Sequence, residues 1–174
     1  MENFLNPEEV LSQLDLSSEM TTADFGSGSG GWALALAKKL ENGKVFAIDI
    51  LEEPLSVLSS KAQAENLRNI ETIRSDVESK NGSKLVDNSC DLVLLTNLLF
   101  QAEDKKAVLN EASRVLRVGG KVLIVDWDKK CPFGPRENAT SPEDIKKLCQ
   151  KTGLNIVKEF RAGTFHWGLI LEKS

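Results

Sequence analysis

Six consecutive residues, Gly26-Ser27-Gly28-Ser29-Gly30-Gly31, constrain this chain more than any other segment. They follow the short strand-like stretch Thr21 to Phe25 and lead directly into Trp32 to Leu40, which is rich in Ala and Leu. A strand that empties into a glycine loop and then a helix is a building unit of α/β proteins. Gly26, Gly28 and Gly31 fit the spacing G-x-G-x-x-G, in which the missing side chains let a ligand approach the main chain. Alone the spacing is a weak signal, because glycines can also serve only to tighten a strand–helix junction.

The rest of the chain decides the context. Asn6-Pro7-Glu8-Glu9 starts a helix, with Asn6 as cap and Pro7 at the first helical position, and this helix is predicted to reach about Leu14. Lys44 to Ile50 reads as a buried strand, and Pro54 opens a helix to about Glu65. Ile70 to Arg74 is a third strand, Asn81 to Asn88 a polar loop, and Asp91 to Thr96 a fourth strand. Glu103 to Leu116 is amphipathic, Gly119-Gly120 is expected to stop it, and Lys121 to Asp126 is a fifth strand. Ser141 caps a further helix that Gly153 is expected to close. Asn155 to Phe160 and Phe165 to Glu172 follow, joined too closely for a parallel crossover and therefore as an antiparallel hairpin. Apolar strands alternating with helices predict a doubly wound, mostly parallel sheet with helices on both faces. No repeat, low-complexity tract or linker divides residues 1–174, so one domain is expected.

Composition narrows the partners. The net charge is -4 and both signs are spread along the chain, so binding through a phosphate backbone is not expected and no nucleic acid is predicted. No apolar run has the length of a membrane span. Met1-Glu2-Asn3 carries no basic stretch of the kind that opens a signal peptide. Cys90, Cys131 and Cys149 are odd in number and lack metal-ligand spacing, which predicts free thiols, no metal and a cytoplasmic protein. A small molecule is the expected partner.

Ligands of open α/β sheets bind beyond the carboxyl ends of the strands. Asp24, Asp49 and Asp76 fall at or just after such ends, and Asn97 and Asp126 share their layer. Asp49 lies about 20 residues past the loop, where a carboxylate can accept both hydroxyls of a ribose. Its bland alternative is a helix cap. Asp24 helps to choose between ligands. A carboxylate two residues before the first glycine repels a pyrophosphate, whereas it favours the ammonium and sulfonium of S-adenosylmethionine.

These segments together resemble the class I S-adenosylmethionine-dependent methyltransferases. Asp24-Phe25-Gly26-Ser27-Gly28-Ser29-Gly30 is similar to their first motif, and Lys44 to Asp49 to their second strand with its ribose-binding acid. Ser75-Asp76-Val77, Asp91 to Asn97, and Glu111 to Lys121 resemble three further motifs. Within the class, the branch of ubiquinone- and menaquinone-type methyltransferases is the most similar. The chain departs from many relatives at Val118, where they carry Pro, and at Phe100-Gln101, where they often carry His-Glu or His-His.

The resemblance implies a seven-stranded Rossmann-like sheet with an antiparallel last strand inserted beside the fifth. It implies a donor site of Asp24, Gly26, Ser27, Gly28, Gly30, Asp49, Ile50, Asp76, Val77, Asn97 and Leu98, in which Gly26, Gly28 and Gly30 let the loop wrap the methionine part, Asp49 holds the ribose, Asp76 the adenine, and Asn97 and Leu98 lie near the sulfonium. No catalytic base is named by the sequence. His166, the only histidine, and Trp127 are weak candidates near the active edge, each with a packing role as its alternative. Trp32 has the same two readings, and Asp128 joins Trp127 as a possible acceptor wall. Lys129 to Thr140, containing Cys131-Pro132-Phe133-Gly134-Pro135-Arg136, is long for a plain connection and suits a lid. Two other functions stay open: a non-catalytic module that binds S-adenosylmethionine, and an NAD-dependent oxidoreductase. The methyl acceptor, the atom methylated and the oligomeric state are not legible.

Overall fold

Strands and helices alternate along the chain as their apolar patterns predict. The computed structural model describes residues 5–135 and 137–174; Met1-Glu2-Asn3 and Arg136, which entered the sequence reading, lie outside the described residues. In chain order the elements are α1 (Pro7–Leu11), β1 (Thr21–Phe25), α2 (Gly31–Lys39), β2 (Lys44–Asp49), α3 (Glu52–Ala64) and β3 (Ile70–Arg74). Then come β4 (Cys90–Thr96), α4 (Lys105–Val115), β5 (Leu116–Trp127), α5 (Pro142–Cys149), β6 (Leu154–Ala162) and β7 (His166–Lys173).

The seven strands form one sheet in the order β3-β2-β1-β4-β5-β7-β6. The first five strands run parallel, and β7 is antiparallel to both β5 and β6. Successive strand residues point to opposite faces, so each strand feeds two cores. Phe25, Val93, Leu95, Val122 and Ile124 pack under α4 and α5. Ala47, Leu92, Leu94, Leu123 and Val125 pack under α1, α2 and α3. Local chemistry sets the helix starts: Asn6 accepts from the Glu8 amide, Asp104 from the Ala107 amide, and Ser141 forms a capping box with Asp144.

Several boundaries differ from the sequence reading. The first helix ends at Leu11, because the chain tightens into turns in which the Gln13 and Leu14 amides donate to Val10 and Leu11. Those turns bring Leu14 and Leu16 against the α1–α3 core. The third helix starts at Glu52, ahead of Pro54; its first-turn amides have no intrahelical acceptor, so proline there costs nothing. Gly119-Gly120 do not stop α4. Leu116 is already extended and buried as a strand partner of Cys90, and the glycines lie in a bulge before Lys121 pairs with Leu92. Gly153 likewise does not end α5, which stops at Cys149; β6 then runs through Arg161 and Ala162, leaving the hairpin turn to 163–165.

Candidate functional site

The strand order places the switch point of the sheet at the carboxyl ends of β1 and β4, where helices leave to opposite faces and a crevice opens. A cavity of about 410 Å³ lies there. It is lined by Gly26 and Gly28 from the glycine loop, Asp49 and Ile50 from the end of β2, Asp76 and Val77 from the turn after β3, and Leu98 after β4. Residues from four loops, expected together from sequence, thus border one opening. Asp24, Ser27, Gly30 and Asn97 do not line it.

The glycine loop is held from below by strand backbone, since the Gly26 and Ser27 amides both donate to the Ile48 carbonyl. It is held from the side by Asp49, one carboxylate oxygen of which accepts from the Gly28 amide at 2.9 Å. The other accepts from Leu51 at the start of α3, also at 2.9 Å. Asp49 therefore joins the loop to the helix start while facing the cavity.

The glycines have distinct tasks. Gly28 has φ +53°, and a Cβ there would meet nothing within 4 Å, so its side faces open space. Gly30 has φ +91°, and a Cβ there would lie 2.1 Å from Leu58 Cδ1, so its task is to let α3 pack against the loop. Gly26 abuts Leu98, whose Cδ1 would stand 2.8 Å from a Cβ.

Asp24 is fully buried at the end of β1, and neither carboxylate oxygen has a hydrogen-bond partner among the described residues. Burial above all, and then the Asp49 carboxylate, push its pKa up to about 8; the Ala33 amide, which does not reach hydrogen-bond geometry, opposes them. The Ser27 hydroxyl and the Asn97 side-chain oxygen are also buried and unpartnered. Asn97 holds a left-handed backbone, φ +50°, and its carbonyl accepts from Gln101 Nε2 at 2.8 Å.

At the adenine end expected from sequence, Asp76 is exposed and accepts from the Glu78 amide. Gly82 folds back so tightly that a Cβ would lie 1.9 Å from the Asp76 carbonyl oxygen, and Ser75 Oγ donates to the Gly82 carbonyl. The buried Glu111 of α4 fixes this segment, accepting from the Ser83 amide at 2.9 Å and from Arg114. Sequence reasoning missed this clamp. Its one signal is a charged residue on the inner face of an amphipathic helix. Gln101 and Glu78 also line the cavity and were missed; both follow strand ends, as the assigned residues do.

His166, at the start of β7, and Trp127, at the end of β5, are register partners. Their rings stack at 4.2 Å with 38° between planes. His166 is buried, its Nε2 is unpartnered, and burial foremost, then Arg161, lowers its pKa to about 4. Described residues of the connection after β5 pack on this corner: Gly134 sits against the Trp127 ring, and Trp167 Nε1 donates to both the Trp127 and Thr140 carbonyls. Asp128 is engaged by Arg161 at 2.6 Å. Trp32 packs in the core under α2, and Cys131 is buried. Among the described residues no cluster suited to a metal occurs, and no helix is long and apolar enough to cross a membrane.

Comparison with known proteins gives this geometry a context. A family model described as a methyltransferase domain matches residues 16–172. The demethylmenaquinone methyltransferase of Bacillus mycoides (strain KBAB4) is 30% identical over 131 residues, covering 75% of this chain and 54% of that protein. The chain thus spans about half the length of the curated relatives it matches. A SAM-dependent methyltransferase from Aquifex aeolicus superposes with a TM-score of 0.87 at 25% identity, over 98% of this chain and 90% of that one. The cyclase SpnF superposes with a TM-score of 0.83 at 15% identity, over 96% and 79%, a likeness of fold alone.

Proposed function

The chain belongs to the class I S-adenosylmethionine-dependent methyltransferase family, and from that premise we propose that it moves the methyl group of S-adenosylmethionine to a small-molecule acceptor. The observation that carries this reading is the cavity at the switch point, where the glycine loop, Asp49, Asp76 and Leu98 border one opening. Its volume suits a ligand of that size, since small-molecule sites usually measure about 300–1,000 Å³. The donor set fits as well. A carboxylate faces the ribose position, an open glycine edge faces the methionine part, and buried acceptors without partners suit a cation and not a phosphate.

When bound, S-adenosylmethionine supplies a methyl group activated on a sulfonium. The chain's own part is to bind and align. Asp49 holds the Gly28 amide in place and keeps acceptor capacity for ribose hydroxyls. Asp76 and Val77 border the adenine end, and Leu98 closes the floor against Gly26. Trp127, half-buried at the end of β5, is the wall offered to the acceptor, with His166 buried against it and Gly134 packed on its ring. The neutral imidazole of His166 keeps a buried, unpartnered Nε2, which an acceptor hydroxyl would reach only by displacing the side chains that cover it. A planar ring of the reduced quinone type is the first acceptor to try, given the activity named for the Bacillus relatives and these aromatic walls.

The test begins with thermal shift. S-adenosylmethionine and its demethylated product should each raise the Tm, because both bind only the folded chain, and NAD should not. Labelled methyl should then pass to a reduced naphthoquinone or another small acceptor. A shift with NAD alone would overturn the reading. Binding without transfer to any acceptor would leave a binding module.

A further inference from the structure

Five buried side-chain polar atoms lack a partner among the described residues, and four of them belong to Asp24, Ser27 and Asn97. Buried polar atoms are nearly always paired, so such a concentration in one place calls for a ligand. The three residues are neighbours. Phe25 pairs with Leu95 across β1 and β4, and Ser27 and Asn97 each lie two residues further on, with Asp24 just below. Three of the four atoms are carboxylate or amide oxygens, which only accept hydrogen bonds. An α-ammonium group offers three donors and no acceptor, the complement of this set.

The charges point the same way. Asp24 is walled by Ala23 and Phe25 on its own strand, by Leu94 across on β4 and by the backbone of Ala33 from α2. The charged group that acts on it is Asp49 from β2, which is an anion and not a counter-ion. A buried carboxylate beside a second carboxylate, with no cation to balance it, is most stable as the neutral acid.

We infer that Asp24 holds a proton in the donor-free chain and releases it to solvent as the ammonium of the methyl donor enters, so that donor binding exchanges one positive charge for another. This rests on reading the cavity as the donor site. Direct contact is not required, since an opposite charge within about 4–6 Å favours the ionised carboxylate. The demethylated product keeps the ammonium and takes part in the same exchange. Methylthioadenosine, which lacks the amino-acid part, does not.

Calorimetry in buffers of unlike ionisation enthalpy measures the protons released. At pH 6.5–7, below the about 7.7–8.0 at which an α-amino group itself titrates, S-adenosylhomocysteine should release close to one proton from the wild-type chain. Methylthioadenosine should release close to none, and Asp24→Asn should release close to none with S-adenosylhomocysteine. Wild-type affinity should rise by up to about tenfold per pH unit over this range, and the variant's should stay flat. Binding without proton release, or equal release from Asp24→Asn, overturns the exchange while leaving the donor site intact. If neither nucleoside binds, the proposed function itself has failed. Should Asp24→Asn not fold, the contrast between the two ligands on the wild-type chain decides the matter.

Discussion

Gly28 and Gly30 sit two residues apart in one loop, both with positive φ, yet their surroundings separate them. A side chain at position 28 enters the open space beside Asp49, whereas one at position 30 runs into Leu58. Gly28→Val should therefore fold and fail to bind the donor. Its strain is that of one left-handed residue, about 1–2 kcal/mol, which corresponds to a fall in Tm of about 2–8 °C for a chain of this size. Gly30→Val should lose far more stability, because the α3 core must shift to accept it. Melting curves and donor titrations on the two variants check the split, and equal donor affinity in wild type and Gly28→Val would show the loop to be misplaced as a ligand cradle. The glycine spacing is legible in the sequence, and so is Asp49 as an acid at a strand end. Which glycine faces open space and which serves packing is not, because Leu58 approaches from a helix 28 residues away. The Glu111–Ser83 clamp escapes for the same reason: it joins residues that only the folded turn after β3 brings together.

Among the elements, the corner formed by β5, the hairpin and the 129–140 segment is where acceptor chemistry is expected. Trp127 and His166 were predicted to approach this edge, and their pairing across β5 and β7 follows from the antiparallel register. The stack between their rings depends on that register alone, and no local pattern announces it. Replacing either residue by Ala should leave the donor affinity within about twofold, since neither borders the cavity beside Asp49, and should lower turnover at least about tenfold, a cost of about 1.4 kcal/mol in the transition state. Steady-state kinetics with the identified acceptor, beside donor calorimetry, separates the two effects. Unchanged turnover in both variants would move the acceptor site elsewhere. The boundaries that sequence patterns misplace also belong to this scale. Gly119-Gly120 looks like a helix stop, but burial of Leu116 beside Cys90 is settled by tertiary pairing, and the glycines are left to form the bulge.

At the scale of the whole molecule, three of the buried titrating groups, His166, Asp126 and Asp24, contribute to stability with different signs. His166 is lowered to about 4 from 6.5, so stability present above pH 6.5 is lost as pH falls toward 4. Asp126, buried and raised to about 6 from 3.8, binds a proton more readily when folded, so stability is lost as pH rises between those values. Asp24 acts in the same direction from 3.8 to about 8, and among these three it alone still titrates between pH 6.5 and 8. In that window the folded chain holds a proton that the unfolded chain has lost. The donor-free chain should therefore lose up to about 1.4 kcal/mol of stability per pH unit as pH rises, and its Tm should fall. Asp24→Asn should be flat there. Calorimetric scans at several pH values check it, and a wild-type Tm that rises through the window would contradict a protonated Asp24.

β7 is an interior strand, one in from the edge of the sheet, because it lies between β5 and β6 and pairs with both. During synthesis on a ribosome the chain emerges in order, so β1 to β5 can assemble while residues 166–173 are still inside the exit tunnel. Until those residues appear, β5 presents an unpaired edge and β6 has no neighbour to join. Such an edge invites pairing with other chains. The nascent protein therefore carries a sticky, half-finished sheet from the emergence of β5 until residues 166–173 follow it out. Its exposure ends only when one eight-residue strand slides into a slot one strand wide, closing both of its ladders in a single event.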